Sequence, residues 1–523
     1  MLPTSLRKPR LYFTLALALV YILGIGLRLY DITDEPLGYY PLRQLQGAIV
    51  ARGIYYTMLP SADPVQRDRA VGLWHTIAVH EPLIQQYTVA LTYLVVGHEI
   101  PWVASIYNLV FWLVSAAALY ALAKRMAAAL LKEREPAAAE ILASISALLA
   151  LAYFLLLPFG VLASRSFQPD PGMTMWILLF SYAIYRWSEE PNWKWALLAG
   201  VFAGLAVLIK AVAFCTVFIG LAAIALYNLG PRRVKEIPAA LLRMVKNPQL
   251  WAILFLMVAP TALFYWFNRG RAGDYFSAYM LSLGHMLLSP SHYLVWFRLV
   301  ASLLKLPALL IALAGVLVSR GRNLALSLGL WIGYFVYGLA FPYQMDTHSY
   351  YHLELVALVP LSMVPAFALA LERLRKAPRV WQTALALAGV CVAIYFTWQS
   401  FLPIYRDDFR DQPAYWQKVA NELPNDGKTI AITQEFGFRL LYYGWRKLDL
   451  WPNVDQIELR DLRGKSREFE EYFAKQVKGK RYFLITDFNE FDNQPVLKQY
   501  LYDNYPIIQQ RDGYILFDLG PKT

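Results

Sequence analysis

The sequence predicts an α-helical polytopic membrane protein of about eleven transmembrane helices, followed by an extracytoplasmic α/β domain. Three observations lead there. Hydrophobic residues make up 58% of the 523-residue chain and charged residues only 16%, against about a quarter charged in soluble domains. Apolar runs long enough to cross a hydrocarbon core of roughly 30 Å recur from Leu11 to Phe401 and then stop. The 16 Trp, 35 Tyr and 28 Phe suit a protein with many interfacial belts.

Taken in order, the expected spans cover 11–29, 101–123, 140–161, 172–187, 195–209, 212–228, 250–267, 297–318, 324–341, 353–371 and 380–401. The stretch 83–96 is shorter and mixed with polar residues, so it is expected to lie in the interface rather than cross. The N-terminal run resembles a signal peptide, but it is too long and no small-residue cleavage site follows. It is read as an uncleaved first span.

Basic residues set the orientation. With the N-terminus cytoplasmic, the inner segments hold Arg7, Lys8 and Arg10, then Lys124, Arg125, Lys132 and Arg134, and later Arg232, Arg233, Lys235, Arg243 and Lys246. The opposite side is poorer in Lys and Arg, as the positive-inside rule requires. An odd number of spans then places the C-terminal domain outside a plasma or inner membrane. The net charge of +12 follows from this topology and from anionic headgroups, and it does not point to nucleic acid. Cys215 and Cys391 both lie in apolar runs, so no disulfide framework or metal cluster is built from them.

Two domains are therefore expected: 1–401, a membrane domain whose first outer loop spans 31–100, and 402–523, a soluble domain. In the second, short β-rich segments at 429–433, 481–486 and 514–517 alternate with helical patterns at 414–423 and 468–476. It carries no GxGxxG and no phosphate loop, so a nucleotide-binding site is not indicated.

Candidate chemistry collects on the outer side. The long loop Arg28–Pro82 carries Asp31, Asp34, Glu35, Tyr39, Tyr40, Arg43, Gln44, His75, His80 and Glu81. Arg165 and Asp170 lie in SRSFQPDP, Lys210 at the outer end of a span, and Arg269 and Arg271 in a later loop with His285 and His292. The segment FPYQMDTHSYYH adds Asp346, His348, Tyr350, Tyr351 and His352. Acids, bases and cations from separate loops on one face describe a cleft. Each also has a plainer explanation. Lys210 could snorkel from a helix end, and Asp170, a costly carboxylate near the bilayer, could be paired with Arg165.

Four segments carry a family resemblance: EPLIQQYTVALTYLVVGHEIPWVASIYNLVFWLVSAAALYALAKRM (81–126), LLPFGVLASRSFQPDPGMTMWILLFSYAIYRW (156–187), KWALLAGVFAGLAVLIKAVA (194–213) and THSYYHLELVALVPL (347–361). In order and spacing they resemble the GT-C class of polyprenyl-phosphate-sugar-dependent glycosyltransferases, the superfamily of protein O-mannosyltransferases and lipid A aminoarabinose transferases. The resemblance covers most of residues 20–375. It implies a membrane enzyme that moves a sugar from a lipid-phosphate donor to a lipid, glycan or protein acceptor outside the cytoplasm. The chain departs from the family pattern in one place. An Asp-Glu pair is expected shortly after the Pro-Leu that follows the first span, yet Pro36-Leu37 is followed by GYYPLRQ and the pair sits earlier, at Asp34-Glu35.

An inverting transfer needs a base for the acceptor proton and cations for the leaving phosphate. Asp170 or Glu81 is expected as base, with Asp34 and Glu35 as the alternative. Arg43, Arg165, Lys210, Arg269 and Arg271 are the donor-phosphate candidates. Tyr39, Tyr40, Gln44, His80, His348, Tyr350 and His352 are the substrate-binding candidates. A divalent cation is compatible with these groups, but no tight ligand spacing marks one. The rival reading is a lipid or glycan transporter or flippase, against which stands the lack of inverted repeats.

Overall fold

The computed structural model describes residues 4–78, 81–231, 234–268, 282–424, 428–465 and 467–520. The chain forms two compact units. One comprises Met1–Ile32, Val79–Leu83 and Ala104–Asp407; the other comprises Thr33–Ala78, Ile84–Val103 and Asp408–Thr523.

In the first unit every described element is helical. Among the described residues, seven helices are long and apolar enough to cross a membrane: Leu11–Leu29, Val103–Leu130, Pro136–Leu156, Pro248–Phe267, Gly321–Ala340, Ser349–Arg375 and Arg379–Arg406. The span expected at 297–318 is not one rod. It is a pair, Pro290–Leu304 and Leu306–Val318, bent by 98° at Lys305, whose φ is 67°. The expected span 140–161 also stops early, at Leu156. Leu157 is extended and Pro158 opens a new helix, Pro158–Arg165, because proline suits a first turn but disfavours a helical residue before it. The expected spans at 172–187, 195–209 and 212–228 coincide with Asp170–Glu189 and with two shorter apolar helices, Trp193–Ile209 and Ala213–Leu229.

Small residues let these helices approach closely, as in membrane bundles. A Cβ on Gly333 would lie 2.5 Å from Thr216 Cα, so Gly321–Ala340 packs backbone to backbone on Ala213–Leu229. A Cβ on Gly204 would meet the Leu256 carbonyl, which does the same for Trp193–Ile209 and Pro248–Phe267.

The second unit contains a five-stranded sheet in the order β2-β1-β3-β5-β4. The strands are β1 (Thr429–Ile432), β2 (Asp449–Leu450), β3 (Tyr482–Ile485), β4 (Ile507–Arg511) and β5 (Tyr514–Asp518). β1 runs parallel to β2 and β3, and β5 runs antiparallel to β3 and β4. Ile430, Ile432, Trp451, Phe473, Phe483 and Phe517 form its core. The three strands and two helices expected in the tail are all present. β4 escaped the sequence reading because its burial follows no alternation that marks a half-buried strand.

The loop after the first span is helical. Pro41–Met58, Pro64–Trp74 and Ile84–Val96 lie in it, and their packing differs from the boundary drawn by composition. They belong to the unit that holds the sheet. Buried Arg52 ties them in: its Nε donates to Glu99 Oε2 at 2.8 Å, its Nη1 donates to the Tyr442 carbonyl at 2.6 Å, and its guanidinium lies over the Tyr442 and Trp445 rings.

Candidate active site

In the helical unit, Asp170–Glu189 and Trp193–Ile209 form an antiparallel hairpin joined by residues 190–192. Their lengths are similar, so the start of the first helix returns to the end of the second. Asp170 is the first residue of its helix, where the helix dipole favours an anion. Lys210 caps the end of the other, where the dipole favours a cation. The two meet. Lys210 Nζ donates to Asp170 Oδ1 at 2.5 Å, with side chains 5% and 1% exposed. The partner of Asp170 is therefore Lys210, and Lys210 does not snorkel.

Aromatic rings close over the ammonium. Lys210 Nζ lies 4.7 Å from the Tyr350 ring centroid and 4.6 Å from that of Tyr351, within cation–π range. His348 stands edge-on to both rings, at 5.5 Å and 5.8 Å. Tyr351 in turn stacks on buried Tyr337 at 6.0 Å. The structure thus brings together four of the expected site residues, Asp170, Lys210, His348 and Tyr350.

Asp170 Oδ2 has no hydrogen-bond partner among the described residues, and neither have Glu354 Oε1 and the Tyr337 hydroxyl. Buried polar atoms are normally paired. An apolar pocket would not hold them so, and groups left open at one place fit a site that receives polar ligand atoms. Glu354 is buried, and its Oε2 accepts from Thr216 Oγ1 at 2.9 Å. It was not singled out in the sequence. The signal was there: an acid one residue inside a run otherwise apolar for a full span, where ionisable side chains are costly and functional. Tyr351 and Tyr337 were likewise not assigned.

Other expected residues have different surroundings. Arg165 Nη1 donates to the carbonyls of Leu27, Arg28 and Tyr30 at 3.0, 2.7 and 2.6 Å, and Nη2 to that of Asp31 at 3.2 Å. These are the carbonyls at the end of the first helix, which have no intrahelical donors. His352 accepts from the Tyr334 hydroxyl at Nδ1 (2.7 Å) and donates from Nε2 to the Met345 carbonyl (3.1 Å), so both nitrogens are used. Nearby, His292 Nδ1 lies 2.8 Å from Asp346 Oδ2. Burial raises Asp346, an effect that the His292 hydrogen bond opposes. Glu81 lies in the helical unit.

Asp34, Glu35, Tyr39, Tyr40, Arg43 and Gln44 belong to the sheet-bearing unit. Asp34 accepts from the Phe409 amide at 3.1 Å. Glu35 accepts from the Tyr443 hydroxyl at 3.0 Å, and burial raises its carboxyl above the ordinary range, reinforced by Asp34 and opposed by Tyr443 and Arg52. Gln44 donates to the Tyr39 carbonyl at 2.9 Å. Tyr40 holds a left-handed φ of 54° just before Arg43 enters the first turn of Pro41–Met58. His80, Arg269 and Arg271 lie outside the described residues. Among the described residues, no group of three His, Cys, Asp or Glu side chains is arranged to hold a metal.

Residues 136–266, which include Asp170 and Lys210, match the family model for dolichyl-phosphate-mannose-protein mannosyltransferase. A comparison with curated proteins finds no match. Among solved structures, the chain is similar to ArnT from Cupriavidus metallidurans bound to undecaprenyl phosphate, with a TM-score of 0.54 and 13% identity over 97% of this chain and 99% of that one. The fold is GT-C. The oligosaccharyltransferase AglB from Archaeoglobus fulgidus, in complex with an inhibitory peptide and a dolichol-phosphate, is also similar, with a TM-score of 0.51 and 12% identity over 91% of this chain and 69% of that one.

Proposed function

We propose that this protein is an integral membrane glycosyltransferase that moves a sugar from a polyprenyl-phosphate donor to a lipid, glycan or protein acceptor on the extracytoplasmic side. The observation that carries the reading is the buried Asp170–Lys210 pair under Tyr350 and Tyr351. Undecaprenyl phosphate on ArnT and dolichol-phosphate on AglB support a lipid-phosphate donor.

In this mechanism Lys210 turns from Asp170 to the donor phosphate, so the ammonium keeps an anionic partner and the Asp170 carboxylate is left free to act as a base. The freed Asp170 carboxylate accepts the acceptor's proton as its oxygen bonds to the anomeric carbon. The bond from that carbon to the phosphate oxygen breaks, its electron pair stays on the phosphate, and the configuration inverts. Lys210 holds the developing charge. Tyr350 and His348 line the sugar, and Arg269 and Arg271 are further cations for the phosphate. Arg165, with its guanidinium on four carbonyls, is the least available of the cations and is read as structural unless donor binding depends on it. Glu81, Asp34 and Glu35 are the alternative bases.

The test is transfer from a defined polyprenyl-phosphate sugar by Asp170→Asn, Glu81→Gln and the double variant Asp34→Asn/Glu35→Gln. Loss of a general base costs about 10²–10⁴ in rate, and Asp170→Asn is expected to show it. Undiminished turnover in Asp170→Asn removes Asp170 from the role.

A further inference from the structure

The sheet-bearing unit contains a polar groove that the reaction above does not use. We infer that this groove, between Pro64–Trp74 and the segment 417–446, binds an anionic saccharide. The reading of the groove as a binding site stands alone. Only the statement that its ligand is part of the acceptor rests on the glycosyl-transfer function.

The groove has two lobes, with volumes of about 430 and 340 Å³, that share Arg69, Asn421 and Gly444. Such volumes fit small ligands. The first lobe sets the indole of Trp445 among the amides of Gln66, Gln417 and Asn421. An aromatic face beside planar amides matches a sugar, which offers an apolar ring face and a rim of hydroxyls that both donate and accept. The second lobe is lined by Arg69 and Arg446 and by no acid.

The charge in that second lobe is not neutralised. Arg69 Nε donates to the Trp445 carbonyl at 3.0 Å and leaves both its Nη groups for a ligand, whereas Arg446 donates from Nη1 to the carbonyls of Ala420 and Leu423, both at 2.9 Å, and from Nη2 to that of Pro424, so it adds mainly positive charge. No carboxylate pairs with either guanidinium among the described residues. Burial lowers Arg446, and so does the like charge of Arg69. An anion placed between two guanidinium groups relieves that repulsion and gains charge-assisted hydrogen bonds. The acid that does line the groove, Asp63, is in the first lobe only, and its carboxylate caps the helix by accepting from the Gln66 backbone N–H at 2.9 Å. The charge gradient directs the anionic end of a ligand toward Arg69 and Arg446.

Solvated surface arginines alone would explain the positive charge, but not Trp445. Its φ is 52°, a region that bulky side chains rarely enter. Three contacts hold it there: the Arg69 bond to its carbonyl, the Arg52 guanidinium 4.5 Å from its ring, and the edge of Tyr56 at 5.9 Å. Backbone strain over-determined in this way gathers at ligand clamps.

The experiment is calorimetric titration of the purified full chain in detergent with four probes: trigalacturonic acid, glucose 6-phosphate, maltotriose and inorganic phosphate. At least one of the first two is expected to bind about tenfold or more tighter than both of the last two, and which one tells a carboxylate from a phosphate ligand. Arg69→Gln and Val65→Glu are each expected to weaken that binding about tenfold or more. Val65 is 76% exposed on the groove wall, so Val65→Glu decides the matter if Arg69→Gln does not fold. Maltotriose or inorganic phosphate binding as tightly as the best anionic sugar overturns the inference, as does binding unchanged in the folded variants or no binding at all. Asp170→Asn is expected to bind the probes as the wild type does. Failure of this site is therefore separate from failure of the transfer function.

Discussion

At the scale of single residues, the Asp170–Lys210 pair separates stability from chemistry. Removing one partner of a buried ion pair leaves the other charge uncompensated, at about 3–5 kcal/mol. Lys210→Met alone is therefore expected to lower thermal stability markedly. Asp170→Asn together with Lys210→Met is expected to recover most of that loss while remaining inactive. Thermal unfolding and transfer rate, measured on the same preparations, check both statements; a stable and active Lys210→Met would refute them. Both residues were legible in the sequence, because a charge at a bilayer boundary needs a reason. Their partnership was not, because the helical hairpin that joins them appears only once the lengths of Asp170–Glu189 and Trp193–Ile209 are known. Arg165 illustrates the reverse. From the sequence it is a cation at the outer face, yet its hydrogen bonds go to the end of the first helix. Arg165→Met is expected to lower stability by about 1–3 kcal/mol and to leave the donor KM of the folded fraction unchanged; a raised KM at unchanged stability would restore it as a phosphate ligand.

At the scale of elements, close helix contacts set the geometry that side chains inherit. Gly333 lies against Thr216, and Thr216 donates to Glu354. Gly333→Leu cannot be accommodated without parting Gly321–Ala340 from Ala213–Leu229. A cost of about 1–3 kcal/mol is expected for overpacking, together with reduced transfer, since Glu354 loses its donor. Comparison with Thr216→Val, which removes the hydroxyl but keeps the packing, isolates the hydrogen bond. Helix existence was largely legible from apolar runs. Helix ends and bends were not: the stop at Leu156 depends on Pro158, and the 98° turn at Lys305 lies in a run apolar enough overall to read as one span. Nor does hydropathy reveal that the helices of the first outer loop pack with the sheet, since that follows from side chains such as Arg52 and their partners.

At the scale of the molecule, we propose from the charge asymmetry a cytoplasmic N-terminus and an external sheet-bearing unit. A phosphatase fused after residue 520 is expected to be active outside the cell membrane, and a fluorescent protein fused there to stay dark; the opposite pair would invert the topology. That unit should also respond to pH through Glu35. Its carboxyl is raised in the folded state, chiefly by burial, so the stability it contributes is present at low pH and is lost as pH rises through the folded value. Glu35→Gln has no such loss. Relative to that variant, the wild type is expected to melt progressively lower as pH rises above the ordinary carboxylate range, as scanning calorimetry of the two would show.

The place of β5 bears on how the protein is made. Tyr514–Asp518 lies inside the sheet, between β3 and β4, and the same unit includes Thr33–Ala78. Glu35, Arg52 and Arg69 find partners at 442–445, some four hundred positions later in the chain. On the ribosome, the segment 33–78 must wait for these partners while every later helix is made. The sheet closes only after residues 514–518 have been translated. Assembly of this unit is thus a late event, and the interval before it is when the chain is most open to proteolysis and to quality control at the membrane.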